Sequence, residues 1–207
     1  FQLSNSYPPR EFCVQYRESD LAFIQRLLEF EGIHYYFEHH YDKHVLTLSD
    51  ASETNTPVNG ESVLPYFHDA QGAVREQHFF KFRYLESVRS GKVSIRDYDF
   101  KKPNLTLSSD NSHEQDQPLE IYEFPGEFSE ADRGDALALA MNQSGNRNRK
   151  KVIAESDINR LLPGYSYELT DHELDQHNTE YLITHIEHNC AQPQVLEAGA
   201  TTEGSRY

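Results

Sequence analysis

The chain has 207 residues, of which 37% are hydrophobic, and a formal net charge of −15. That length holds one large domain or two small ones with a real core, and no apolar run approaches the ~20 residues of a membrane-spanning helix. So much negative charge argues against a nucleic-acid surface, which must offset several phosphates with Lys and Arg.

The sequence opens on Phe1 with no signal-peptide pattern, so we expect a piece of a longer protein. Residues 1–10 are polar, contain Pro8 and Pro9, and read as a lead-in. Residues 11–17 (EFCVQYR) alternate Phe12, Val14 and Tyr16 against Cys13, Gln15 and Arg17, which predicts a strand. The clearest helix follows in ESDLAFIQRLLEFEG. At ~100° per residue, Leu21, Ile24 and Leu28 share one line and Phe23, Leu27 and Phe30 lie beside it. Gln25, Arg26 and Glu29 fall opposite, Ser19 or Asp20 can cap the start, and Gly32 suits the left-handed position that ends many helices. This predicts a helix over 19–31 that covers a core.

Residues 33–38 and 45–49 are rich in aromatic and β-branched side chains around an Asp42-Lys43 turn, predicting a β-hairpin over 33–49. Residues 50–77 read as a long surface excursion with one apolar word, Val63-Leu64-Pro65-Tyr66-Phe67. Strand patterns resume at 79–84, 92–99 and 104–107; residues 108–117 are polar and read as a loop or disordered tip. A strand over 119–124 ends at Pro125-Gly126. A second helix is expected over 129–143, with Ser129 as cap and Gly145 as terminator. Strands at 151–155, 165–169 and 181–188 complete the chain, with a Pro163-Gly164 turn between two of them. The fold class is therefore α+β and mainly antiparallel β, with helices laid outside barrels or sandwiches.

Chemistry is sparse. Cys13 and Cys190 match no C-x-x-C spacing and read as buried thiols, although a disulfide between them is open if their strands are neighbours. Arg147, Arg149, Lys150 and Lys151 read as a solvated loop or helix end. His34, His39, His40 and His44 cluster near Glu38 and Asp42, the one grouping dense enough to raise a zinc-site reading. His185 and His188 would point to opposite faces of a strand, and His172 and His177 read as surface. There is no G-x-S-x-G, P-loop or G-x-G-x-x-G motif. No catalytic, cofactor-binding or metal residue is assigned.

The stretch ESDLAFIQRLLEFEGIHYYFEHH, running into HVLTLSD, resembles the VgrG family, the spike proteins of bacterial type VI secretion systems. It is also similar to the hubs of contractile phage tails, the late control D proteins. SGKVSIRDYDFKKPN, LEIYEFPGEF, LLPGYSYELTDH and EYLITHIEHN follow in the family's order. The family signature falls on Glu18, Ser19, Asp20, Leu21, Gly32, Asp97, Tyr98, Pro125, Gly126, Pro163 and Gly164, most of which look structural.

The resemblance implies tube-type β-barrel domains with two flanking helices. It divides the chain into a lead-in (1–10), the remainder of a first barrel (11–90, with helix 19–31 and hairpin 33–49), a second barrel (91–200, with helix 129–143) and a tail (201–207). It implies a non-catalytic trimeric hub that docks on a hexameric, Hcp-like tube protein, with effector or adaptor proteins as further partners. Assembly would take place in the bacterial cytoplasm, followed by export through the type VI apparatus without a signal peptide. The alternatives are a phage or prophage tail hub and, from a different class, a metal-dependent hydrolase built on His34, His39, His40 and His44.

Overall fold

The computed structural model describes residues 1–51, 55–68 and 76–190. In chain order its elements are α1 (Asp20–Glu31), β1 (His34–His39), β2 (His44–Ser49), β3 (Val63–Pro65), β4 (Phe79–Glu86), β5 (Lys92–Asp97), β6 (Leu107–Ser112) and β7 (Glu120–Glu123). Then come α2 (Ala131–Asn146), β8 (Lys150–Ser156), β9 (Ser166–Thr170), a short 3-10 turn (Asp175–His177) and β10 (Glu180–Leu182). The α+β class holds. Among the described residues the strands form small sheets, β1-β2, β10-β9-β3, β4-β8 and β6-β5-β7. Most pairings are antiparallel; β3 with β9 and β5 with β7 are parallel.

Two compact units emerge, and neither is a continuous half of the chain. Of the described residues, the first gathers Phe1–Gln2, those within Tyr35–Arg83 and 152–190; the second gathers Leu3–His34 and Tyr84–Lys151. Each has its own core. In the first unit Leu64 and Leu169 are fully enclosed, packed with Phe79, Ile158, Leu161 and Tyr167. The apolar word inside the long excursion is thus a core strand, because Leu64 lies beside Leu169 in the parallel β3/β9 ladder. The remainder of that excursion at 52–54 and 69–75 lies outside the described residues.

In the second unit Val93 and Ile95 on β5 pack with Leu107, Phe128, Leu137 and Ala138. Gly134, Leu137, Ala138 and Asn142 make the buried stripe of α2, at the spacing that puts side chains on one helix face. The helix starts later and runs longer than expected. Glu130 occupies the cap position without a side-chain bond, so Ser129 is not the cap, and Gly145 lies within the last turn instead of ending it. Residues 108–112 are not a loop. They belong to β6, which pairs antiparallel with β5 along its full length, from Leu107 opposite Asp97 to Ser112 opposite Lys92. Ser108, Asp110 and Ser112 of β6 face solvent, and Asn142 on α2 donates to the Asn111 side chain at 2.7 Å.

Several further expectations are corrected. Residues 11–17 form no strand: no ladder bond joins the segment to another strand among the described residues, and Arg17 has a left-handed φ of 51°. Beyond Leu182 the expected strand to 188 does not continue, although Ile183 still donates to Tyr165 O at 2.9 Å. Both cysteines are exposed and free, so neither the buried reading nor a disulfide holds. His177 is buried. His172 stacks on Tyr66 with ring centroids 4.8 Å apart, so this pair belongs to the aromatic packing of the first unit and is not solvated surface. Arg149 is no part of a solvated basic patch, being almost wholly buried and hydrogen-bonded through each of its three guanidinium nitrogens.

Candidate assembly surface

The histidine hairpin is the first place to look for chemistry. A zinc site needs three or four donors converging at about 2.0–2.3 Å from one point. The β1–β2 turn brings His39 and His44 together, Nδ1 to Nδ1 at 2.7 Å, one ring donating and the other accepting. His40 instead approaches Glu38 at 3.8 Å. His34 opens β1 while His39 closes it, and an odd separation along a strand turns the two to opposite faces. Among the described residues no three His, Cys, Asp or Glu side chains form a metal-holding group. The hydrolase reading therefore loses its ligand set, for a geometric reason: a hairpin turn gathers two of these side chains, not four.

The second unit carries a different kind of feature. α1 begins as its sequence requires. Ser19 has extended backbone angles and its side chain accepts from Ala22 N–H at 3.2 Å. Gly32 closes the helix at φ 70°, its N–H reaching back to the carbonyls of the last turn. Arg26 clasps Glu18 through two bonds, at 2.7 and 3.2 Å, and that guanidinium holds the Glu18 carboxyl below the usual carboxylate range. At the far end Glu31 receives Arg10 at 2.8 Å and Arg133 at 2.5 Å, and both guanidiniums lie over the Phe30 ring.

Yet α1 does not cover a core as expected. None of its residues is buried, and Leu21 and Ile24 are exposed. Only the Phe30 end packs against the apolar cluster of the second unit.

The segment ahead of α1 is anchored at both ends. Arg10 is held by Glu31, and the Gln15 amide donates to Glu18 O and to the Asp20 carboxylate. In this segment Phe12, Val14 and Tyr16 are 79%, 64% and 70% exposed. An alternating apolar face fixed in solvent has the form of a strand without its sheet.

A second exposed feature lies at β7. Its register places Ile121 beside Val93 and Tyr122 beside Ser94. Ile121 is thus on the side of the sheet that β5 buries, yet it remains exposed because the sheet stops there. Beyond β7 an open groove of about 430 Å³ has Phe30, Leu137 and Met141 among its apolar walls and Glu29, Glu123 and Glu127 among its acidic ones. Sequence reasoning identified 119–124 as a strand but missed its edge position. The available signal was apolar residues on both faces of LEIYEF within a polar stretch.

The signature residues sit in the scaffold. Asp97 accepts from Tyr98 and Phe128 N–H groups. Gly126 N–H donates to Arg96 O at 2.8 Å. Pro125 follows a cis peptide bond, and Gly164 has φ 89°.

The phage tail baseplate hub (GPD) family matches residues 1–194. The chain belongs to that family. The hub chain is also 36% identical over 209 residues to the type VI secretion system spike protein VgrG4b of Pseudomonas aeruginosa, covering 99% of this chain and 26% of that protein. It is 38% identical over 202 residues to VgrG5 of the same organism, covering 95% of this chain and 25% of the relative. The actin cross-linking toxin VgrG1 of Vibrio cholerae is 30% identical over 215 residues, covering 100% of this chain and 20% of the toxin. The hub chain therefore spans about a quarter of the length of the type VI spike proteins it matches.

Proposed function

We propose that this chain is the structural hub of a type VI secretion spike. Each copy contributes two tube-type β-barrel domains, and three copies set six such domains around an axis. The pseudo-sixfold ring then docks on a hexameric tube protein and leaves the cell with it through the contractile machine, with effector or adaptor proteins attached to the spike. Assembly takes place in the bacterial cytoplasm. The boundaries proposed for the two barrel regions are 11–90 and 91–200, after a lead-in of 1–10, with a tail at 201–207.

The observation that carries this reading is the breadth of the match: hub family and spike proteins alike cover nearly the whole chain. The chain has two separate apolar cores, in units that do not coincide with those boundaries. Among the described residues no helix is long and apolar enough to cross a membrane. The role is architectural, and the toxin's name lends this region no activity, since the chain matches 20% of that protein.

A closed ring needs large complementary surfaces, often more than ~2,000 Å² in total. Static light scattering on the full-length protein tests the proposal: a trimer is expected, and a strict monomer at all concentrations contradicts it. The family's phage name favours a second reading, a prophage tail hub with the same ring geometry. Gene neighbourhood separates the two, through a type VI cluster or a set of phage tail genes.

A further inference from the structure

We infer that residues 11–16 of one copy add as a strand to the free edge of β7 in the next copy, with Arg17, where the backbone turns left-handed, directed to the acid-walled groove beyond it. This rests on the hub reading above and names the surfaces by which its copies associate.

Each half lacks what the other supplies. The segment has period-two alternation and fixed ends but no ladder, and β7 has a ladder on one side and none on the other among the described residues. An unpaired edge with apolar neighbours is costly in a finished assembly and is normally covered. Ile121 lies on the core side of its sheet, next to Val93, and is half-exposed for want of one more strand. Phe12, Val14 and Tyr16, on a single face, would continue that side and enclose it.

Charge agrees with this pairing. The segment is flanked by Arg10 and Arg17, and the groove past β7 presents Glu29, Glu123 and Glu127. Arg10 is already engaged with Glu31, while Arg17 lies over its neighbour Tyr16 and can turn to the acidic walls. A segment of one copy on a strand edge of the next makes the contact head-to-tail, the kind that closes into a ring when the rotation permits.

Strand parity makes the proposal sharp. If Phe12, Val14 and Tyr16 face the Ile121 side, Cys13 must face the Tyr122 side, because neighbouring residues of a strand point to opposite faces. Cross-strand neighbours stand at separations a disulfide accepts. In a C190S background, native Cys13 is paired in turn with Tyr122→Cys and with Ile121→Cys, and the full chain is oxidised with diamide. Both substituted side chains are exposed, and circular dichroism checks that each variant folds.

The expected result is dimers and trimers, reversed by reductant, that form several-fold more with Tyr122→Cys than with Ile121→Cys or with C190S alone. Equal crosslinking of both positions, Cys13–Cys13 dimers only, or no crosslinking overturns the inference. Light scattering on the reduced protein separates the two levels. A trimer that lacks the Tyr122→Cys crosslink keeps the hub reading and rejects this surface, whereas a monomer without it counts against both.

Discussion

Arg149 donates to the Asp116 carboxylate at 2.5 Å with only 6% of its side chain exposed. The same guanidinium donates to Asn146 Oδ1 at 2.8 Å and to Arg89 O at 2.9 Å. One side chain thus ties the end of α2 to the loops on either side of β5 and β6. Arg149→Met removes every one of these bonds and leaves three acceptors without this donor, so we expect a loss of about 2–3 kcal/mol. Asp116 has φ 56°, a conformation Asn tolerates, so Asp116→Asn removes charge with little backbone strain. It should cost less, about 1 kcal/mol, because the other bonds to Arg149 remain. Hydrogen exchange over residues 84–151 reads both; wild-type protection in Arg149→Met would contradict this account.

Gly164 and Gly145 make a matched pair. At Gly164, φ is 89° and an added Cβ would lie 2.4 Å from the Tyr36 ring. We expect Gly164→Ala to destabilise the first unit by about 2–4 kcal/mol, through a left-handed backbone and an overpacked contact. At Gly145, inside α2, an added Cβ meets nothing within 4 Å. Gly145→Ala should stabilise by roughly 0.5–1 kcal/mol. Urea unfolding of the two variants checks the opposite signs, and like signs would count against the local geometry.

His172 makes the first unit acid-sensitive. Burial, and then the neighbouring His177, hold its pKa below the ordinary histidine value of 6.5. Its ring lies against Tyr66, Phe82 and His177, with Glu173 the nearby group acting in the opposite direction. The unfolded chain therefore takes up the proton more readily than the folded one. The stability contribution is complete above the unfolded value and is lost as pH falls from there towards the lower folded one. Melting temperatures across that window should fall more steeply for wild type than for His172→Phe. Identical slopes would show that His172 does not contribute.

Much of the scaffold was legible in the residues. The Ser19 cap, the Gly32 stop and the hairpin either side of Asp42 rest on local chemistry that a short stretch contains in full. What failed were judgements about neighbours. The apolar line of α1 was clear, but its period could not show that Leu21 and Ile24 would remain uncovered in a single copy. Residues 108–112 look like a loop because they are polar: Ser108, Asp110 and Ser112 face solvent, and Asn111 is met by Asn142 from a helix about thirty residues away. Arg149 looks solvated for the same reason, since its partner Asp116 is distant in the chain. The histidines failed in the other direction: closeness in sequence suggested a cluster that strand parity then split. The candidate surface was half visible: the apolar alternation in 11–17 stood out, but it forms no strand in a single copy.

Under the proposed function, three copies of this chain build a hub that imitates a sixfold ring. Electron-microscope images of the full-length protein, viewed down the particle axis, test it most directly. The account predicts three copies presenting six similar lobes around an open centre. Solitary single-copy particles, or an assembly without that pseudo-sixfold outline, would contradict it.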